Sequence, residues 1–269
     1  MLTAAAVGWA GTGRLPAADV AADLRPETVD AFDRYVKDVQ AEVNDRVAGK
    51  KAFLWTDESA DRLRRVRGGE VVTARPAGRG PIDVPDGLIH DWVGAVFIAG
   101  VTVDQTIAFV QDYNRQAEFY GPEVVESRIN SREGNHFTLF IRLKKKKFLS
   151  TVVLDTVHDA TFFPLDRTRW YSRSRTTSVA EVKDPGTPRE RLLPPGTGRG
   201  YMWALDSHWR FAERDGGVYV ECRAVSLSRA IPTGLGLLIG LLVNDLPKDS
   251  LENTLTSTRD GVLKTIRRR

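Results

Sequence analysis

From Gly87 onward the chain alternates strand-like segments with tight-turn signals, and it closes on one long amphipathic helix. Leu88–Ile98 is apolar and partly aromatic. Val103–Asp112 has helical spacing (Val103, Ile107, Val110) behind Thr102 as a cap. A second short helical turn spans Arg115–Tyr120 and ends at Gly121-Pro122. Six strand candidates follow: Val124–Glu133, His136–Leu143, Phe148–Phe162, Arg169–Val182, Gly200–Glu213 and Val218–Arg229. The segment from about Leu246 to Ile266 places Leu251, Leu255, Thr258, Val262 and Ile266 on one helical face. Every strand connection can be a hairpin, so this order predicts an α+β fold with a seven-stranded antiparallel sheet and a C-terminal helix.

Hairpin register decides which face each side chain takes, because a slip of one residue turns the strand over. A turn at Asp215-Gly216 pairs Phe211 with Val220, Trp209 with Cys222, Ser207 with Ala224 and Leu205 with Ser226. Large side chains then oppose small ones, and Arg210 meets Glu221 on the other face. The face with Trp203, Leu205, Trp209 and Phe211 is therefore expected to be buried. A turn at Lys145-Lys146 pairs Leu143 with Phe148, Ile141 with Ser150, Leu139 with Val152 and Phe137 with Leu154. That turns Leu154 and His158 inward. A turn near Asp166-Arg167 carries the same face to Tyr171, Arg173, Arg175, Thr177 and Val179. Arginines on an apolar face are costly unless paired. Either an anionic group meets them inside, or the register is off by one and they are solvated.

The first part of the chain reads differently. Phe32, Tyr35, Val36, Val39, Val43 and Val47 form one stripe of a helix over Pro26–Ala48, with Pro26 in its first turn and Gly49 as its stop. The Pro- and Gly-dense stretch from Arg75 to Gly87 predicts a boundary. Residues 1–86 are expected to be an extension with a linker at 75–86, and 87–269 the ligand-binding domain. The first ten residues resemble the apolar part of an export signal, but no basic residue precedes them. Two readings stand: a disordered start in a cytoplasmic protein, or a signal with its charged front missing in an exported or periplasmic one.

Composition narrows the chemistry. One cysteine, Cys222, excludes an internal disulfide and a multi-thiolate zinc site. The four histidines show no metal-ligand spacing, so neither a metal nor another cofactor is expected. The net charge of +4 is a small surplus, and the Lys144–Lys147 run lacks the interleaved aromatics of an RNA-binding surface, so no nucleic acid is expected. The longest apolar run, Leu235–Val243, is far shorter than a membrane-spanning helix. It reads as a lead-in to the long helix, as a lid, or as a transient contact with a membrane surface. Nothing in the sequence fixes the oligomeric state.

The element order resembles the helix-grip arrangement of the START-like superfamily, also called SRPBCC, which includes polyketide cyclases and lipid-transfer domains. The segments Gly87–Ile98 and Gly217–Arg229, with Ile231–Gly236 after the latter, are similar to a bacterial branch of it. The resemblance implies a curved sheet wrapped around the C-terminal helix with an apolar cavity between them. It implies no shared catalytic motif. The thin helix stripe, with Thr254, Ser257, Thr258 and Gly261 in it, agrees with unfilled volume.

The candidate ligand-binding residues are then Phe137, Leu139 and Ile141 on one strand and Leu154 and His158 on the next. Tyr171, Arg173 and Arg175 follow on the third, Trp203, Leu205, Ser207 and Trp209 on the fourth, and Cys222 and Ala224 on the fifth. His158 and the two arginines would orient a polar head, unless they form a structural network with acids such as Glu221 or Asp206. The expected function is binding, and by extension transport, of a hydrophobic small molecule or lipid. The alternatives are a cyclase or dehydratase with His158 as acid and base, and a structural or partner-binding domain with a filled core. No residue is assigned a catalytic role.

Overall fold

In a computed structural model, which describes residues 22–76, 78, 80–147, 150–230 and 236–267, seven long strands build the sheet. They are β3 (Gly87–Ala99), β4 (Val124–Glu133), β5 (His136–Lys147), β6 (Ser150–Pro164), β7 (Arg169–Lys183), β9 (Ala204–Arg214) and β10 (Gly217–Arg229). Short strands β1 (Val72–Ala74) and β2 (Ile82–Val84) pair with β3, and β8 (Arg191–Leu192) pairs with β7. The spatial order is β1-β3-β10-β9-β7-β6-β5-β4, antiparallel throughout. Pairing of β3 with β10 joins the first long strand to the last. Across the inner face lies α5 (Gly236–Arg267), preceded in the chain by α3 (Val103–Val110) and α4 (Gln116–Phe119) near one end. This is the helix grip, and α5 begins ten residues before the sequence spacing predicts, running through Pro247.

The outer face is covered as well. Helix α1 (Pro26–Val47) buries Phe32, Val36 and Val39 against Ile89, Val225 and Leu227. Helix α2 (Ala60–Arg67), capped by the Ser59 hydroxyl, brings Val66 to a second cluster with Leu54, Phe97 and Tyr219. A strand covered on both faces has no solvent side to alternate with. That is why β3 reads Gly-Leu-Ile-His-Asp-Trp-Val-Gly-Ala-Val-Phe-Ile without a polar period, every one of these residues being buried. The segment expected to be extension and linker thus supplies two strands to the sheet and a helical layer over it.

Three registers were open to arithmetic. The β9–β10 hairpin pairs Phe211 with Val220, Trp209 with Cys222 and Ser207 with Ala224, as the Asp215-Gly216 turn predicts. Arg210 and Glu221 lie on the outer face, where the N-terminal layer buries their ion pair. The β5–β6 hairpin differs: Leu139 pairs with His158, Ile141 with Thr156 and Leu143 with Leu154, so the turn falls three residues later than the lysine run suggested. Each partner moves by six places, an even number, and the inward face is unchanged.

The β6–β7 register corrects the sequence expectation. His158 pairs with Thr176, Ala160 with Ser174 and Phe162 with Ser172, and a bulge at Thr177 then sets Thr156 opposite Val179. The first half of β7 is therefore turned over by one residue. Tyr171, Arg173 and Arg175 face outward, where Arg173 pairs with Asp206 at 3.0 Å and Arg175 pairs with Asp33 of α1. A bulge adds one unpaired residue and so flips parity within a strand.

Candidate functional site

The inner layer is packed at one end and open at the other. Near α3, Phe137, Phe162 and Tyr113 make edge-on aromatic contacts and fill the space with Leu139, Ile107 and Val262. Along the middle of α5 the sheet and helix separate around a cavity of about 450 Å³. Its walls come from the inward positions of the strands: Leu205, Ser207 and Trp209 of β9, Cys222, Ala224 and Ser226 of β10, and Leu143 and Lys145 of β5. Val152 and Leu154 of β6, His90 of β3, residues 120–124, Tyr201 and Met202 before β9, and the α5 stretch from Leu246 to Ser257 complete it. Most helix residues along this space are small or polar, among them Ser250, Thr254 and Ser257, with Leu246 and Leu251 the larger apolar ones.

Of the sequence-derived candidates, Leu154, Leu205, Ser207, Trp209, Cys222 and Ala224 border the cavity. Phe137 and Leu139 belong to the packed end, and half-buried Ile141 lies outside the lining. Trp203 precedes β9 and turns outward to Phe32 and Val36, although register parity pointed it in. Tyr171, Arg173 and Arg175 lie across the sheet, with Tyr171 Oη 2.9 Å from His208 Nδ1. Their partners there are those of a structural network: Asp206 approaches His208 Nε2 at 2.7 Å, and both residues are fully buried.

His158 faces inward but lies outside the cavity lining. The Thr156 hydroxyl donates to the Ile141 carbonyl at 2.7 Å, so His158 Nε2 carries a proton and donates to Thr156 Oγ1 at 2.8 Å. Burial pushes its pKa down to about 4, and the imidazole is neutral. The geometry gives no support to an acid–base role in the cavity.

Ser207 apart, sequence reasoning missed the polar groups that border the cavity. His90 Nε2 on β3 shares a 2.9 Å hydrogen bond with Ser228 Oγ, and that hydroxyl has the Arg229 carbonyl at 3.3 Å as its other partner. The His90 Nδ1 is buried without a hydrogen-bond partner. Burial, aided by the Arg75 charge, lowers the His90 pKa to about 4. At the other side Lys145 forms an ion pair with Glu123, and Asn253 Nδ2 donates to Glu123 Oε1 at 3.1 Å. Burial pulls the Lys145 ammonium below the ordinary lysine range against the pull of Glu123. His90 was hidden because only the non-local β3–β10 pairing brings it beside Ser226. Lys145 was hidden because the lysine run was read as a turn tip, whereas it continues the strand.

Burial holds the Cys222 thiol far above its usual range, so it serves as a wall rather than a nucleophile. Among the described residues no three His, Cys, Asp or Glu side chains gather to hold a metal ion. Among them, too, no helix is long and apolar enough to cross a membrane. Leu235 and the side chains of 236–243, on which the membrane-contact expectation rests, lie outside the described residues, as does the apolar N-terminal stretch.

No protein-family model matches the chain, and no curated protein matches it. Among solved structures it is similar to a STAR-related lipid transfer protein fragment from Xanthomonas axonopodis, at 16% identity over 68% of this chain and 99% of that one, with a TM-score of 0.43. It is similar to the Zhui aromatase/cyclase from Streptomyces sp. R1128 at 11% identity over 67% and 95%, with a TM-score of 0.42. Human STARD10 gives 11% identity over 77% and 80%, also with 0.42.

Proposed function

We propose that the protein binds a hydrophobic small molecule or a single lipid between the sheet and α5. The observation that supports this reading is the contrast within one layer. Aromatic and aliphatic side chains fill the α3 end, while a cavity of about 450 Å³ with largely apolar walls stands beside them. Protein interiors close voids much smaller than this, and small-molecule sites commonly measure about 300–1,000 Å³. A filled-core partner-binding domain needs no such space.

Trp209 in the wall supplies a reporter. Purified protein examined by native mass spectrometry is expected to carry a co-purifying mass that organic extraction releases. The emptied protein is expected to bind the neutral probe N-phenyl-1-naphthylamine and to transfer energy to it from tryptophan. Ala224→Phe places a ring inside the cavity and is expected to weaken probe binding at least tenfold while leaving the thermal midpoint unchanged or raised. Probe binding that is indifferent to this substitution would count against the cavity as the site.

A further inference from the structure

Polar groups border the cavity at two places far apart on the sheet. His90 and Ser226 lie on β3 and β10, and Lys145 lies on β5 with Glu123 beside it. In the strand order, β3 and β5 are five spacings apart, roughly 24 Å around the curve at about 4.8 Å each. Between them the strand side of the lining is apolar except at Ser207, with Ala224, Trp209, Leu205, Leu154 and Val152, while α5 opposite presents the hydroxyls of Ser250 and Thr254, which give their protons to helix carbonyls. A strand wall that is apolar in most of its middle, with groups able to hydrogen-bond a ligand toward either end, is the pattern of a molecule that is polar at both ends.

The two ends differ in what they accept. At the first, His90 Nε2 is committed to Ser228, and Nδ1 is left buried without a partner. An orphaned buried ring nitrogen carries a desolvation cost that a ligand hydroxyl, able to donate or accept, relieves. At the second, the Lys145 ammonium uses one of its three protons on Glu123 and can give others to a neutral oxygen. An anionic head would have to compete with Glu123, which Asn253 also holds, in a place where both charged side chains are about three-quarters covered. Asp249 adds further negative charge near Lys145. Separating a pair in such a place leaves a charge without its partner.

We infer that the ligand is an elongated, uncharged amphiphile with a hydrogen-bonding group at each end, a hydroxyl toward His90 and a neutral polar head toward Lys145 and Glu123. This rests on the cavity being a ligand site. It also favours one chain or one narrow ring system over a lipid with two acyl chains, since a volume of about 450 Å³ suits a single such molecule.

Displacement of N-phenyl-1-naphthylamine from the full-length protein tests this with three probes of equal chain length: hexadecane-1,16-diol, 1-hexadecanol and hexadecanoic acid. The diol is expected to displace at a concentration about fivefold lower than the alcohol, the advantage of one further net hydrogen bond. The acid is expected to be the weakest of the three at pH 8. In His90→Phe, and separately in Lys145→Met combined with Glu123→Gln, the diol is expected to fall to the level of the alcohol. Thermal midpoints check that each variant is folded, and if one is not, the wild-type series decides alone. A diol no better than the alcohol, or an acid tighter than both, on protein that binds the naphthylamine overturns this inference and leaves the cavity reading standing. If the naphthylamine itself does not bind, the cavity reading falls and takes this inference with it.

Discussion

Two neutral histidines, His90 and His158, sit in the inner layer with their pKa values held near 4 by burial. In the unfolded chain each returns to about 6.5. Between those values the unfolded state holds a proton that the folded state refuses, so stability rises with pH from about 4 to 6.5 and is flat above. The span corresponds to roughly 3 kcal/mol for each histidine at 1.36 kcal/mol per pH unit. Moving from pH 7 to pH 4.5 should therefore lower the unfolding free energy, with His158→Gln removing about 2–3 kcal/mol of that fall. Urea denaturation of wild type and variant at both pH values reads this directly. Parallel pH profiles for the two proteins would refute it.

At the scale of elements, α5 lies against the sheet and α3 through glycines whose missing side chains set the distance. A Cβ on Gly261 would come within 2.3 Å of Phe109 Cζ, and one on Gly94 within 2.7 Å of Leu255 Cδ1. Phe109 cannot swing freely, because its ring packs edge-on against Phe119 at 4.9 Å. Alanine in place of glycine normally gains about 1 kcal/mol in a helix, but overpacking costs about 1–3 kcal/mol. The collision wins here, and Gly261→Ala is expected to lower stability by about 1–2 kcal/mol in urea unfolding. A variant more stable than wild type would mean that α5 has room to move. The strands show what fixes such spacings locally. Asp215 and Gly216 both have positive φ, the signature of a two-residue hairpin turn, and the register derived from them holds along the whole of β9 and β10. The lysine run of β5 offers no turn chemistry, so its turn was misplaced. In β7 the loop from Asp166 to Arg169 is one residue off the simple count, and a bulge at Thr177 restores the parity.

The whole molecule is three layers rather than two. The N-terminal segment covers a polar seam on the outer face: Glu221 accepts from the backbone N–H groups of Trp55 and Thr56 as well as from Arg210, and Arg223 bridges Asp91 to Glu42 of α1. Arg210 and Glu221 are 2% and 1% exposed, so their pairing depends on that cover excluding water. Residues 87–269 produced alone lose α1, α2, β1 and β2, which bares Val225, Leu227, Phe97 and Tyr219. They are expected to bind a hydrophobic dye and to melt without a cooperative transition, as circular dichroism with heating would show. A sigmoidal melt close to that of the full chain would make the segment a dispensable appendage. The sequence by itself determined the long strands, the long helices apart from where α5 begins, and the inward face of β9 and β10, because helical period, strand alternation and tight turns are local. Only the tertiary structure decided which polar groups border the cavity, that Tyr171, Arg173 and Arg175 turn outward, and that the outer face is dry. Those outcomes depend on the β3–β10 closure, one bulge and a covering layer, all of them contacts between residues far apart in the chain.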